Sequence, residues 1–125
     1  MKAAVSRTIL VALAAALVLM AGCSGSTTIK SDLVLAGNGS ARLDLHRKTE
    51  AINLFNDSDV PVRIKVLGKR DRVYSNMLLN GHDRVRLDLA NARAVEFGNE
   101  NDEQALIRWI LTNHDRIEYS MAIDP

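Results

Sequence analysis

Two stretches of this 125-residue chain repeat each other. Ser31 to Leu45 reads SDLVLAGNGSARLDL, and Ser75 to Leu89 reads SNMLLNGHDRVRLDL. Aligned without gaps at an offset of 44, they share a serine, a leucine, a glycine and the run Arg-Leu-Asp-Leu. After one residue drops out, Ala51 to Asp59 matches Ala94 to Asp102, and Val62, Ile64 and Val66 meet Ala105, Ile107 and Trp109. Asp71-Arg72-Val73 then meets Asp115-Arg116-Ile117. Common order, spacing and turn residues describe a duplicated unit, with copies at about 31–73 and 75–117. Two copies are too few for a solenoid, so they are expected to share one core.

Each copy carries strand patterns. Leu43 and Leu45 alternate with Arg42 and Asp44; Val62, Ile64 and Val66 alternate with Arg63 and Lys65; Val85, Leu87 and Leu89 alternate with Arg84, Arg86 and Asp88. Such alternation sends one face into a core and the other into water. Turns are expected at Gly37-Asn38-Gly39, Asn56 to Asp59 before Pro61, Gly68 to Asp71, Asn80-Gly81 and Gly98 to Asn101. The segment from Asp102 to Asn113 has a helix-like composition, but its repeat partner Val60 to Leu67 holds Pro61 and alternating β-branched residues. It too is expected to be a strand. The fold class is all-β: a small antiparallel sandwich or barrel of about eight strands, built from two repeats of about 44 residues. Leu43 and Leu87 should be equivalent buried positions, and Arg42 and Arg86 should face solvent.

A different pattern governs the N-terminus. Residues 1–22 contain Lys2 and Arg7, no acid, and an unbroken apolar run from Ile9 to Ala21. Thirteen residues fall well short of the roughly 20 that cross a bilayer core. A basic start and a short apolar middle are the layout of a secretory signal peptide. The run ends Leu19-Met20-Ala21-Gly22-Cys23-Ser24, and Cys23 is the single cysteine of the chain.

That ending resembles bacterial lipoproteins, in which small residues precede a cysteine at the close of the apolar run. The resemblance covers about the first 24 residues. Met20 departs from it slightly, since leucine is commoner three places before the cysteine. It implies that Cys23 receives a diacylglyceryl group with fatty-acyl chains such as palmitate, and becomes the new N-terminus after cleavage. Ser24 resembles the outer-membrane class, so the expected location is the cell envelope, on the outer membrane facing the periplasm if the host has two membranes. Residues 1–22 are then a signal peptide, 23–30 a lipidated terminus with a flexible tether, and 31–125 the β domain. A lone thiol in an exported protein is otherwise uncommon.

Without residues 1–22 the chain carries 14 Lys plus Arg against 15 Asp plus Glu. A net charge of −1 supplies no overall field for nucleic acid, and no nucleic-acid partner is expected. No serine sits in a Gly-x-Ser-x-Gly turn, and His46, His82 and His114 are far apart in expected loops without His-x-x-x-His spacing. No catalytic residue, metal site or cofactor is expected, although Asp57, Asp59, Glu100, Asp102 and Glu103 form turns whose carboxylates are the type calcium uses. Lys65, Lys69, Arg70 and Arg72 crowd one hairpin as candidate contacts for an anionic partner. Trp109 aligns with Val66 and should point inward. These features suit a non-catalytic, membrane-anchored lipoprotein whose β domain makes protein contacts or serves envelope structure. The alternative is a module that binds glycan or another anionic envelope ligand.

Overall fold

A computed structural model describes residues 26–125; the expected signal peptide and Cys23 lie outside the described residues. Nine strands follow in order: β1 Thr27–Leu35, β2 Ser40–Leu45, β3 Ala51–Asn56, β4 Val62–Leu67, β5 Val73–Leu79, β6 Arg84–Asp88, β7 Ala94–Gly98, β8 Ala105–Asn113 and β9 Tyr119–Asp124. A four-stranded sheet has the order β1-β8-β3-β6, and a five-stranded sheet the order β5-β4-β7-β2-β9. The chain is thus doubled back at the β4–β5 connection. Its arms pair as β4 with β5, β3 with β6, β2 with β7 and β1 with β8. This is the strand order of a jelly roll, closed as a sandwich. β9 adds a ninth strand beyond β2.

Burial follows the alternation. Leu43, Val62, Ile64, Ile107 and Leu111 are fully buried between the sheets, and Trp109 is 2% exposed. The helix-like segment is strand β8, with burial alternating along its length. Its centre is flanked on both sides by strands, so pairing and burial override helix propensity. The Trp109 ring meets Tyr119 of β9 edge-on, with centroids 5.3 Å apart.

The expected tether is shorter than proposed from the sequence. Residues 27–30 pair with 110–113 of the nine-residue β8, Thr27 is buried, and Ile29 packs on the core. A long neighbouring strand makes this polar stretch a strand, because its backbone groups find partners there.

Exchanging β1–β4 with β5–β8 maps one sheet order onto the first four strands of the other. Every jelly roll allows that exchange, so finer detail matters more. β1–β8 and β5–β4 keep equivalent registers, as do β3–β6 and β7–β2, whereas β3–β8 and β7–β4 differ by two residues. Asn38 and His82, 44 residues apart, both have left-handed backbone, at φ 61° and 65°. The preceding glycines serve matching close approaches. A Cβ on Gly37 would overlap the Asp102 carbonyl, and one on Gly81 would overlap the Ser58 and Asp59 backbone.

The halves differ at one edge. β9 lies beside β2, while β6 has no second neighbour among the described residues. Leu43 is 0% exposed, but Leu87 is only half-buried. This corrects the expected equivalence: alternation assigns Leu87 an inward direction, and the open edge leaves it partly in water.

Candidate functional site

The outer face of the five-stranded sheet carries a shallow groove of about 640 Å³. Arg63 and Lys65 of β4, Glu96 and Gly98 of β7, Ser40 and Arg42 of β2, and Ala122 of β9 share this face by their pairing. Lys65 stands opposite Glu96, and Arg63 opposite Gly98. Gly98 forms the low point, where an added Cβ would meet nothing nearer than the Arg63 Cβ at 4.0 Å. Gly98 is the last residue of β7 and not the turn residue expected from the sequence.

Charge on this face is largely self-compensated. Arg42 donates from Nε to Asp44 at 2.9 Å, from one terminal nitrogen to Glu96 at 3.1 Å, and from the other to Asp71 at 3.0 Å. The bond to Asp44 foremost, with Asp71 adding to it against the cost of burial, raises the guanidinium pKa far above its ordinary value. Arg42 is therefore tied into a network and not simply solvated. Arg63 donates to Glu100 at 3.3 Å and to the Asn76 side-chain oxygen at 2.9 Å. Lys65 is half-buried on the groove wall and has no ion pair among the described residues.

The four expected anionic contacts do not line a single groove. Lys65 lines the groove, Lys69 a second depression near Tyr74 and Arg93, and Arg72 a third between β5 and β6. Lys69 and Arg70 lie in a 3₁₀ turn over Lys69–Asp71, with Arg70 and Asp71 in left-handed backbone. That turn aims Asp71 back at Arg42.

The acidic turns and the histidines serve contacts to neighbouring loops and strands. Asp57 pairs with Arg108 at 3.0 Å, Asp59 with His82 at 2.8 Å, and Asn38 donates to Asp102 at 3.1 Å. No group of three metal-ligating side chains converges among the described residues. His46 Nε2 lies 2.9 Å from Ser120 Oγ, both near the surface, but no carboxylate orients the ring among the described residues. An orienting group of that kind is what prepares a Ser–His pair for nucleophilic attack.

The feature that reading the sequence missed is apolar. Four large hydrophobic residues are conspicuously exposed among those described, and three of them, Val73 (51%), Tyr74 (51%) and Leu78 (43%), lie on the edge strand β5. Tyr74 and Leu78 project on the outer face, and the Tyr74 ring lies over Gly68, where a Cβ would overlap it. The sequence did hold a signal: Tyr74 and Leu78 occupy outward positions, the parity that elsewhere carries Arg63, Lys65 and Asn76.

No protein-family model matches the chain, and no curated protein matches it. Among solved structures, it is similar to Drosophila melanogaster CENP-C in its structure bound to CAL1, with a TM-score of 0.52, 10% identity, and coverage of 79% of this chain and 85% of that one. At that identity the likeness is one of fold alone. A pilus protein of Bacillus endospore appendages (TM-score 0.46, 9% identity, 76% and 96% covered) is less similar. So is a cupin from Desulfovibrio desulfuricans (0.40, 11%, 87% and 95%). Neither carries an argument about function.

Proposed function

We propose that this chain is a cell-envelope lipoprotein, held to the membrane by lipid on Cys23, whose β sandwich makes non-catalytic contacts with an envelope protein. If the host has two membranes, Ser24 favours the outer one. The observation that carries the contact role is the exposed apolar row on β5. An edge strand with free backbone groups and outward hydrophobic side chains is an aggregation hazard in a monomer unless something covers it. Aromatic side chains such as Tyr74 are also the type that anchor interfaces.

The test is site-specific photocrosslinking from position 78 of the full chain in its native envelope, with position 48 on a distant loop as control. A discrete adduct from 78 and none from 48 supports the reading. No adduct from 78, in a protein that is folded and membrane-bound, overturns it. The alternative, a glycan or another anionic ligand, is favoured by one observation: Lys65 lines the groove with no ion pair among the described residues. Loss of glycan retention on Lys65→Ala, with retention unchanged on Leu78→Ala, would select that alternative.

A further inference from the structure

The open edge of β6 has a definite hydrogen-bonding face. Asn56 N–H donates to the Asp83 carbonyl and Leu89 N–H to the Glu50 carbonyl, so the odd-numbered residues from 83 to 89 bond toward β3. In an antiparallel ladder the two backbone groups of a residue point to the same side. Arg84, Arg86 and Asp88 therefore present their N–H and C=O groups to the open edge. On the corresponding strand of the other sheet, β2, the equivalent edge is taken by β9.

The side chains show the same contrast. In β2 the Arg-Leu-Asp run is closed on itself, with Arg42 bonded to Asp44 at 2.9 Å. In β6 the identical run Arg86-Leu87-Asp88 is open. Arg86 has no ion pair among the described residues, and Asp88 accepts only the Ala90 N–H, at 2.9 Å. Arg84 lies over the Phe55 ring, 4.5 Å from its centre. Val85 and Leu87, on the inward face, remain half-buried.

We infer that β6 pairs antiparallel with β6 of a second copy of this chain, about a twofold axis through Leu87, joining two four-stranded sheets into one of eight strands. The register follows from charge. Centring on Leu87 sets Arg86 opposite the partner's Asp88, and Asp88 opposite the partner's Arg86. Centring on Arg86 also yields two Arg84–Asp88 pairs but faces two guanidiniums at the axis, and centring on Val85 sets Arg84 against Arg86 twice. Only the Leu87 register has opposite charges across and no like pair. Opposite charges directly across a ladder stabilise it, and like charges destabilise it. The chosen register also bonds 86 to 88 through the backbone. Leu87 then meets its own copy at a non-hydrogen-bonded position, with Cα atoms about 4.5 Å apart, and water is excluded from the seam that leaves Leu87 wet. The interface is isologous, so it closes at a dimer.

The test uses the full chain in native membranes. A Cα separation near 4.5 Å lies within disulfide reach, so Leu87→Cys should form a reducible species of twice the mass under mild oxidation. Arg86→Asp or Asp88→Arg, added singly to Leu87→Cys, should lower its yield several-fold. Combining both substitutions should restore it. The idea fails if Leu87→Cys stays monomeric, if it links to a different protein, or if the single charge changes leave the yield untouched. The wild-type chain under the same oxidation keeps this separate from the anchor: a dimer there means a free Cys23 thiol, which counts against lipidation and not against β6 pairing.

Discussion

Asn56 and Asn99 make the same set of bonds at matching places in the two halves. Each side-chain amide donates to the carbonyl four residues on, Val60 at 2.8 Å and Glu103 at 2.7 Å. Each also donates to the last residue of a strand in the other half, Leu79 at 3.0 Å and Leu35 at 3.4 Å, with Asn99 reaching Ala36 as well at 3.1 Å. Each accepts an N–H two residues on, Ser58 at 3.2 Å and Asn101 at 3.0 Å. Both asparagines are essentially without solvent contact, at 0% and 2% exposure. Removing either amide strands several buried backbone groups, each costing about 1–3 kcal/mol. Asn56→Ala and Asn99→Ala should each lose about 2–4 kcal/mol in urea melts. Asn→Asp should do no better, because a carboxylate cannot donate to two carbonyls.

The difference between Leu43 and Leu87 has its own consequence. Leu43→Ala empties a closed site and should cost about 2–5 kcal/mol. Leu87→Ala, at the open edge, should cost about 1–2 kcal/mol in the monomer, since only part of its area is buried. Denaturation of both variants under dilute conditions measures this. Equal losses would mean that the β6 edge is covered within one chain.

Arg42 and Arg86 differ as well, despite their equivalent positions in the sequence repeat. Arg42→Ala breaks contacts to three carboxylates and should cost about 1 kcal/mol, the sum expected of several partly exposed pairs. Arg86→Ala should stay within about 0.5 kcal/mol in the monomer. High salt should shrink the Arg42 effect, because these pairs are accessible to screening ions.

Much of the sheet architecture was legible in the chain, and the exceptions share a cause. Leu43, Val62 and Ile64 announce their direction through near neighbours, and β8 was recognised because its repeat partner contains Pro61. What escaped depends on distant pairing. Nothing near Leu87 says that β9 will lie beside β2 and not beside β6. Nothing near Arg42 reveals Asp71 and Glu96, which lie 29 and 54 residues away. Thr27 and Thr28 read as tether until β8 supplies a partner. The groove was illegible for the same reason, since Gly98 looks like a turn until Arg63 and Ser40 flank it.

We propose that the two halves descend from one duplicated unit, on the strength of the matched asparagines, glycines and Arg-Leu-Asp-Leu runs. Neither half can bury its inward face alone, and chains of about 40–50 residues without disulfide or metal rarely fold. A fragment ending near Gly81 should be disordered by circular dichroism, or should assemble as a dimer in which a second copy replaces the missing half. A cooperatively folding monomeric fragment would contradict the proposal.

The anchor underlies the expected location and the envelope setting of the β5 contact, and metabolic labelling with a radioactive fatty acid tests it most directly. The wild-type chain should carry label and sediment with membranes. Cys23→Ser should carry none, and should persist as an uncleaved precursor or appear as an unlipidated form. Undiminished label on Cys23→Ser, or an unlabelled wild-type chain, would contradict the account.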